Sequence, residues 1–265
     1  MSDLTATCHV ACVLREPLAR SLGFVAWYLD LGVDRIELYF DDPADPAIPL
    51  LEPLPQVVIH RGTEELWKQL GTSADAPFVK RQNAALSTAY AASDADWFLA
   101  VDCDEFVWLA DRSIGAFLGV VPADVPAVRF TTAERVQTPG QEGQWFRIPV
   151  GRNIIRQNCG EAAFFLAPRG GLVGHADGKS ATRTGLPFDR VRQHWVVGAD
   201  GQPISGLTVG LAEQALLLHF FDDGYDRWRG KLDWRAGAWG FPRRVAEHII
   251  SLRDLPADQA ETGRS

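Results

Sequence analysis

The sequence predicts an α/β fold in which helices flank a mostly parallel sheet and the C-terminal half is less regular. Apolar strand-like runs alternate with amphipathic helix-like segments over residues 8–110, which is typical of a parallel sheet. Acidic residues directly follow two of these runs, and ligands of such sheets bind beyond the carboxyl ends of the strands. A chain of 265 residues with 46% hydrophobic composition is long enough for a sizeable core.

Four strands and three helices are predicted in the first half of the chain. Pro17 marks a helix start, the apolar residues after it recur at helical spacing, and Gly32 marks the helix end. The stretch after the second strand is rich in proline and is predicted to be a loop. The strands are "TCHVACVL", "RIELYF", "QVVIH" and "WFLAV", and the other two helices are "TEELWKQL" and "APFVKRQNAALSTAYAASDAD".

The second half is predicted to be less regular. Strand-like runs separated by glycine-rich turns are "AVRFTT", "AAFFLA", "RVRQHWVV" and "ALLLHFF", and closing helices are predicted around "DGYDRWRGKLDW" and "FPRRVAEHIISL". We therefore expect one domain over residues 1–255, made of two unequal halves of about 1–110 and 111–255. The polar tail, residues 256–265, is predicted to be disordered.

Composition restricts the classes of partner. The net charge of −8 and the pI of about 5.3 argue against a protein whose main activity is to bind nucleic acid. No apolar run reaches the length of a membrane-spanning helix, and the N-terminus lacks the pattern of a signal peptide. The four cysteines are too few and too poorly spaced for a disulfide framework. We therefore expect a soluble, reduced, cytoplasmic protein.

The stretch "DWFLAVDCDEFVWL" places Asp102, Asp104 and Glu105 directly after an apolar run. Buried carboxylates are costly unless they have partners. On an extended backbone Asp102 and Asp104 would point to the same side, about 6–7 Å apart at their Cα atoms, and Glu105 would point away. Such a pair favours Mg²⁺ or Mn²⁺ bridging to a diphosphate. The alternative is an aspartate pair that caps the next turn or pairs with arginines.

Two classes of enzyme use a D-x-D at a strand end. A phosphatase of the haloacid dehalogenase type uses the first aspartate as nucleophile and carries the motif on its first strand. A glycosyltransferase of the GT-A type carries it after a nucleotide-binding half. Here 101 residues precede Asp102, so the position of the motif favours the second class.

Three stretches of the chain resemble the family-2-like GT-A glycosyltransferases. They are "ACVLREP…FVAWYLDLGVDRIELYFDD", "VKRQNAALSTAYAASDAD" and "DWFLAVDCDEF", and the last is similar to the D-x-D-E-F motif of a bacterial branch. Later matches are "GKSATR", "QHW" and "LLLHFF". The resemblance implies a GT-A-like fold with a nucleotide-binding first half and an acceptor-binding second half. It also implies metal-dependent, inverting transfer of a sugar from a nucleotide-diphosphate sugar to an acceptor hydroxyl.

The resemblance also implies roles for single residues. Asp102 and Asp104 would hold Mn²⁺ or Mg²⁺ and the sugar diphosphate, and His194 or His219 would complete the metal site. The alternative for each histidine is a core residue whose hydrogen bonds are satisfied. Residues implied near the nucleotide are Asp41 or Asp42, which would bond the nucleoside, and Arg81 or Asn83.

The basic motif "GKSATR" requires a separate test because "GHADGKS" is similar to a phosphate-binding loop. A Walker A loop needs one more residue than Gly174 and Gly178 leave between them, so we reject that interpretation. Lys179 and Arg183 would instead neutralise a diphosphate or an anionic acceptor, and the alternative is a solvated loop. Candidates for the general base that activates the acceptor hydroxyl are Asp177, Glu161 and Glu134.

The segment "YDRWRGKLDWRAGAW" interleaves tryptophans with basic residues. These would stack on a sugar or base, or make a peripheral contact with a membrane, and the alternative is a closing helix packed on the core. The acceptor would be a glycan, a lipid-linked molecule or a small molecule. Two other functions stay open: metal-dependent phosphoryl or nucleotidyl transfer or phosphatase activity, and a non-catalytic nucleotide-sugar-binding relic.

Overall fold

The computed structural model describes residues 5–136 and 143–221. The chain divides into two compact units: Met1–Ala133 with His175–His219 form the first, and Glu134–Gly174 with Phe220–Ser265 form the second. Among the described residues, no helix combines the length and the apolar character needed to cross a bilayer. The predicted closing helices, the segment with interleaved tryptophans and the tail lie outside the described residues.

The strands and helices predicted for the first half are confirmed. A one-turn helix in the proline-rich stretch was not predicted; it begins where the Ala47 amide donates to the Asp45 side chain (2.8 Å). The elements are β1 (Cys8–Leu14), α1 (Leu18–Asp30), β2 (Arg35–Phe40), α2 (Ile48–Leu51), β3 (Val57–Arg61), α3 (Glu64–Gln69), α4 (Phe78–Ala91), β4 (Trp97–Ala100), β5 (Glu105–Leu109) and α5 (Ile114–Gly119).

The main sheet of the first unit has seven strands, and four of its six strand pairs are parallel. From β1 the chain moves outward to β2 and β3, then returns to place β4 on the other side of β1. The direction of winding therefore reverses between β1 and β4. In sheets of this kind ligands bind at the carboxyl ends of the strands beside such a reversal. The α/β class with a mostly parallel sheet flanked by helices is confirmed.

Both faces of the main sheet are buried. On β1, Cys8 and Cys12 face the core shared with α1, as their alternation predicted, whereas Ala11 and Val13 face the core shared with α4. Both cysteines are free thiols. Gly32 ends α1 with a φ of +84°, a left-handed conformation that favours glycine. The core on both faces holds the carboxyl edge of β1, β2 and β4 in place.

Elements of the second half differ from prediction in three places. "AAFFLA" forms a helix rather than a strand, because Ala163 and Leu166 pack on one side against Ile155 of a neighbouring helix. "RVRQHWVV" is a hairpin whose turn closes where the Arg192 amide donates to the carbonyl of Trp195 (2.9 Å). "KSATR" is a strand rather than a solvated loop.

The remaining elements follow in chain order. They are β6 (Ala127–Phe130), β7 (Thr132–Val136), β8 (Trp145–Arg147), α6 (Arg152–Asn158), α7 (Ala163–Leu166), β9 (Lys179–Arg183), β10 (Phe188–Val191), β11 (Val196–Gly198), β12 (Leu207–Val209) and β13 (Ala215–His219). The full order of the main sheet is β12-β6-β9-β4-β1-β2-β3. In the first unit β13 also pairs antiparallel with β5, and in the second β8 pairs with β7.

A buried carboxylate, Glu37 of β2, links this strand to its neighbours β1 and β3. Tyr39 and Arg35 donate to it at 2.6 and 2.7 Å, and the Nε2 atoms of His60 and His9 lie 2.9 and 3.2 Å from its oxygens. Burial raises the pKa of Glu37, but the hydrogen bonds from His60, His9 and Tyr39 outweigh it and hold the pKa well below the usual range. The ionised form is therefore stabilised by folding.

Glu37→Gln should lower the free energy of unfolding at pH 7 by about 1.5–3 kcal/mol, the usual contribution of hydrogen bonds to a charged group. A depressed carboxyl pKa contributes stability that is present above the unfolded-state value of 4.5 and lost as pH falls below it. The gap between wild type and Glu37→Gln should therefore narrow below that pH in urea unfolding. Glu52→Gln, which removes a half-exposed ion pair with Arg61, is the control and should behave like wild type. A gap that is constant from pH 7 to pH 3 would contradict this assignment.

Candidate active site

A turn, rather than an extended strand, carries the D-x-D sequence at the end of β4. The Glu105 amide donates to the Asp102 carbonyl (3.0 Å), and the Asp102 amide donates to the Glu105 side chain (3.0 Å). The expectation that Glu105 points away from the aspartates is therefore wrong, because the turn removes the alternation of a strand. Glu105 belongs to the same cluster of charges as Asp102.

Lys179 is the counter-charge of this cluster. Its ammonium lies 2.7 Å from Asp102 Oδ2 and 3.0 Å from Glu105 Oε2, and its side chain is only 1% exposed. Gln82 of α4 donates to the other oxygen of Asp102 (2.7 Å). The sequence analysis gave arginines as the alternative partners of the aspartates. In the structure the partners of Asp102 are Lys179 and Gln82 instead.

The position of Lys179 follows from the register of β9. Leu99 of β4 faces Ala181 of β9, so Lys179 lies beside the end of β4. The residue before it, Gly178, has a φ of +67°, and an added Cβ would lie 2.1 Å from the carbonyl oxygen of Phe130. Only glycine fits this close approach, which leads the chain into β9 with Lys179 directed at the carboxylates.

The protonation states of the cluster are unequal. Burial raises the pKa of Asp102, but the charge of Lys179 and its hydrogen bond outweigh burial and lower that pKa to about 2. Burial raises the pKa of Glu105 to about 7 against the opposing effect of Lys179. Burial lowers the pKa of Lys179, and the two carboxylates outweigh it and raise that pKa. At neutral pH Asp102 and Lys179 are therefore charged, and Glu105 is poised to exchange a proton.

A second ion pair stands at the carboxyl end of β2. Arg81, near the start of α4, donates twice to Asp41 Oδ1, at 2.6 and 3.1 Å. Its guanidinium also donates to two backbone carbonyls and lies over the Trp67 ring, 5.4 Å from the centroid. Asp42 is exposed and accepts from the Ala44 amide (2.9 Å). The structure therefore pairs Asp41 with Arg81, two of the residues that the sequence analysis selected as candidates for nucleotide binding.

Asn83 lies two residues further along α4. Its Oδ1 atom is buried and has no hydrogen-bond partner among the described residues. An unsatisfied buried amide oxygen is uncommon in folded proteins. The structure thus leaves Asn83 with an acceptor atom that a ligand would satisfy.

Two histidines and an aspartate meet beside the Lys179 cluster. His194 lies in the turn between β10 and β11 rather than within a strand, and its ring centroid is 3.9 Å from that of His175. Their imidazole nitrogens and the Asp177 carboxylate lie within 4.8 Å of one another. Burial and then the charge of Lys179 lower the pKa of His175 to about 4 and that of His194 to about 3. Both rings are therefore neutral at pH 7, as metal ligands are.

His219, predicted within a strand, is the last residue of β13 and faces Glu105 of β5 in the antiparallel pair. Its Nε2 atom lies 3.9 Å from Asp104 Oδ1, and its ring centroid lies 6.1 Å from that of His175. Asp104, His219 and the His175 group are thus neighbours within the first unit. His175 was not predicted as a site residue. It lies in "GHADGKS", the stretch whose similarity to a phosphate-binding loop was rejected.

Arg183 lies at the far end of β4, and two other predicted residues belong to the second unit. Arg183 pairs with the start of β4, at the opposite end from Asp102, and donates to the carbonyls of three loop residues at 3.0–3.2 Å. Glu134, in the second unit, accepts from the amides of residues 173 and 174 at 2.6 and 2.7 Å. Glu161 is exposed in a short 3₁₀ turn of the second unit. Because its guanidinium donates to these carbonyls at the far end of β4, Arg183 has no role in the diphosphate site that we propose.

Comparison with known proteins finds similarity in structure alone. No family model matches the chain, and no curated protein matches it. HddC from Yersinia pseudotuberculosis is 17% identical with a TM-score of 0.30, and the match covers 48% of this chain and 59% of that chain. The mannosyltransferase PcManGT from Pyrobaculum calidifontis, in complex with GDP-Man and Mn²⁺, is 14% identical with a TM-score of 0.42, and the match covers 98% of this chain and 73% of that chain. Both TM-scores are low, and function is therefore inferred from the site residues.

Lys179→Met should destabilise the protein by about 3–5 kcal/mol, the usual effect of leaving buried charges without their partner. Adding Glu105→Gln should restore part of this loss, because one of the two carboxyl groups left without the ammonium is then removed. Urea unfolding of both single variants and the double variant measures the coupling. Lys68→Met, on the exposed face of α3, is the matched control. Additive effects of Lys179→Met and Glu105→Gln would show that the two groups do not interact.

Proposed function

We propose that the protein is a glycosyltransferase that moves a sugar from a nucleotide-diphosphate sugar to an acceptor hydroxyl, with inversion. One observation supports this most directly. The carboxyl edge at the reversal between β1 and β4 bears the Asp41–Arg81 pair after β2 and the Asp102–Asp104 turn after β4. Ligands of doubly wound sheets bind at this place. The resemblance of the D-x-D-E-F sequence to GT-A enzymes specifies the ligand.

The nucleoside is proposed to bind at the β2 end of this edge. Asp41 is 11% exposed and held by Arg81, so its second oxygen would accept from a nucleoside hydroxyl or base with a fixed geometry. Asp42 is exposed beside it and is the alternative acceptor. Asn83 would supply a further polar contact through its buried amide oxygen.

The diphosphate is proposed to bind at the β4 end, where Mn²⁺ or Mg²⁺ would bridge it to Asp102 and Asp104, with His219 as neighbouring ligand. Oxygen ligands from one or two carboxylates plus substrate phosphates suit such a cation. When bound, the cation would offset negative charge on the leaving diphosphate. Lys179 keeps Asp102 ionised and fixed in position. The ammonium of Lys179 is buried, so Lys179 would act on the diphosphate indirectly, by positioning Asp102.

Inversion at the sugar carbon needs a general base near the acceptor hydroxyl. Of the three predicted candidates, Asp177 is exposed in the first unit and Glu161 is exposed in the second. Glu134 is buried, and both its oxygens accept from backbone amides. We therefore favour Asp177 or Glu161. The acceptor is proposed to be a glycan, a lipid-linked molecule or a small molecule.

A thermal-shift panel of nucleoside diphosphates and nucleotide sugars, with and without Mn²⁺, tests this function. One base should raise the melting temperature of the wild type, and Mn²⁺ should increase the shift. Asp41→Asn and Asp104→Asn should each weaken binding at least tenfold, about 1.4 kcal/mol. Asp189→Asn, on the exposed hairpin strand β10, is the control and should bind like wild type.

Two outcomes would overturn the proposed function. One is the absence of a shift with every nucleotide under every metal. The other is hydrolysis of a sugar phosphate without nucleotide, together with a covalent phosphate on Asp102, which would establish phosphoryl transfer instead.

A further inference from the structure

The first unit carries a set of three potential metal ligands that is separate from the aspartate turn. His175 and Asp177 come from the loop before β9, and His194 comes from the turn between β10 and β11. Across the described residues, this is where at least three His, Cys, Asp or Glu ligand atoms lie within 4.8 Å of one another. Asp102 and Asp104 do not belong to it.

The orientation of His194 is set by the backbone. Its Nδ1 atom lies 3.0 Å from the carbonyl oxygen of Gly178. A carbonyl only accepts, so Nδ1 carries the proton and Nε2 is left with its lone pair. Histidines that bind metals commonly donate their other nitrogen to a backbone carbonyl in this way. Gly178 is itself fixed by the close approach of the Phe130 carbonyl, so the ring is held before any ion arrives.

His175 has a buried polar atom that no other residue of the described ranges satisfies. Its Nδ1 has no hydrogen-bond partner among the described residues. Burying such an atom costs free energy, and a bound ion at His175 would offset the cost. The His175 and His194 rings converge, with centroids 3.9 Å apart and planes at 73°. Asp177 adds a carboxylate on the exposed side of the site, from which an ion would enter.

Charged groups of both signs act on these ligands. The titratable groups that act on them are Asp102 and Asp177, which are acidic, and Lys179 and His219. The ammonium of Lys179 is held away from an incoming ion by its contacts with Asp102 and Glu105, at 2.7 and 3.0 Å. Asp177 is then the acidic ligand nearest to an incoming ion.

We propose that His175, Asp177 and His194 form a cation site that binds a transition ion such as Mn²⁺, Co²⁺ or Zn²⁺ in preference to Mg²⁺ or Ca²⁺, before any nucleotide binds. Two imidazoles and one carboxylate suit transition ions, whereas Mg²⁺ and Ca²⁺ prefer oxygen ligands throughout. The site rests on the proposed function only for its role, which is to place an ion next to the Asp104–His219 pair. Asp177 would then be a ligand rather than the general base.

Calorimetry of the full-length, metal-stripped protein with MnCl₂, ZnCl₂ or MgCl₂ alone tests the site. One Mn²⁺ or Zn²⁺ should bind, and Mg²⁺ should bind at least tenfold more weakly. His175→Gln and His194→Gln should each weaken Mn²⁺ binding at least tenfold. Asp189→Asn, on the exposed hairpin strand β10, is the control and should bind like wild type. Equal melting temperatures in EDTA would show that the variants are folded.

Pulsed electron paramagnetic resonance on the Mn²⁺-loaded protein provides a second measurement. Coupling to imidazole nitrogen should appear in the wild type and diminish in each of His175→Gln and His194→Gln. The proposal is overturned if no transition ion binds without nucleotide. It is also overturned if Asp104→Asn abolishes binding while both histidine variants retain it, because the ion then sits on the aspartate turn. Nucleotide binding measured in EDTA separates failure of this site from failure of the transferase proposal.

Discussion

A single buried ammonium group organises the carboxyl edge of the sheet. Lys179 neutralises Asp102 and Glu105 at 2.7 and 3.0 Å, and without it two carboxyl groups would lie in one apolar environment. Its position depends on the antiparallel register of β9 beside β4 and on Gly178, where a side chain would collide with the Phe130 carbonyl. The ion pairs of Lys179 therefore stabilise the turn that carries Asp104, together with the hydrogen bonds between Asp102 and Glu105.

Much of the fold was predictable because its signals are local. Alternation on β1 indicated a strand, Pro17 and Gly32 indicated the ends of α1, and the four predicted strands and three predicted helices of the first half were confirmed. The strand β5 was not predicted. Predictions for the second half were wrong where the length of a segment and its tertiary contacts decide between a strand and a helix. "AAFFLA" is a short apolar run that is compatible with a strand or a helix. Its packing against Ile155 favours the helix. "RVRQHWVV" contains no glycine or proline to reveal the hairpin turn at Arg192–Trp195.

The site was predictable only in part for a related reason. Asp102 and Asp104 follow an apolar strand and could be found by position, and Lys179 was selected as a basic residue although its partner was not foreseen. Glu105 was misplaced because a turn, invisible in the residue pattern, replaces the strand after Val101. His175 and Gln82 join the site through contacts between elements distant in sequence, and a single sequence contains no signal for such contacts.

The protonation of the Lys179 cluster is the most direct test of this account. Metal-free protein labelled with ¹³C in its aspartate and glutamate carboxyl groups would be titrated by NMR, with Asp102→Asn and Glu105→Gln to assign the signals. Glu105 should titrate near pH 7, while Asp102 should stay ionised to about pH 2 or until the protein unfolds. Titration of both carboxyl groups at their ordinary values of 4.5 and 3.8 would contradict this prediction, because Lys179 would then not lie between them.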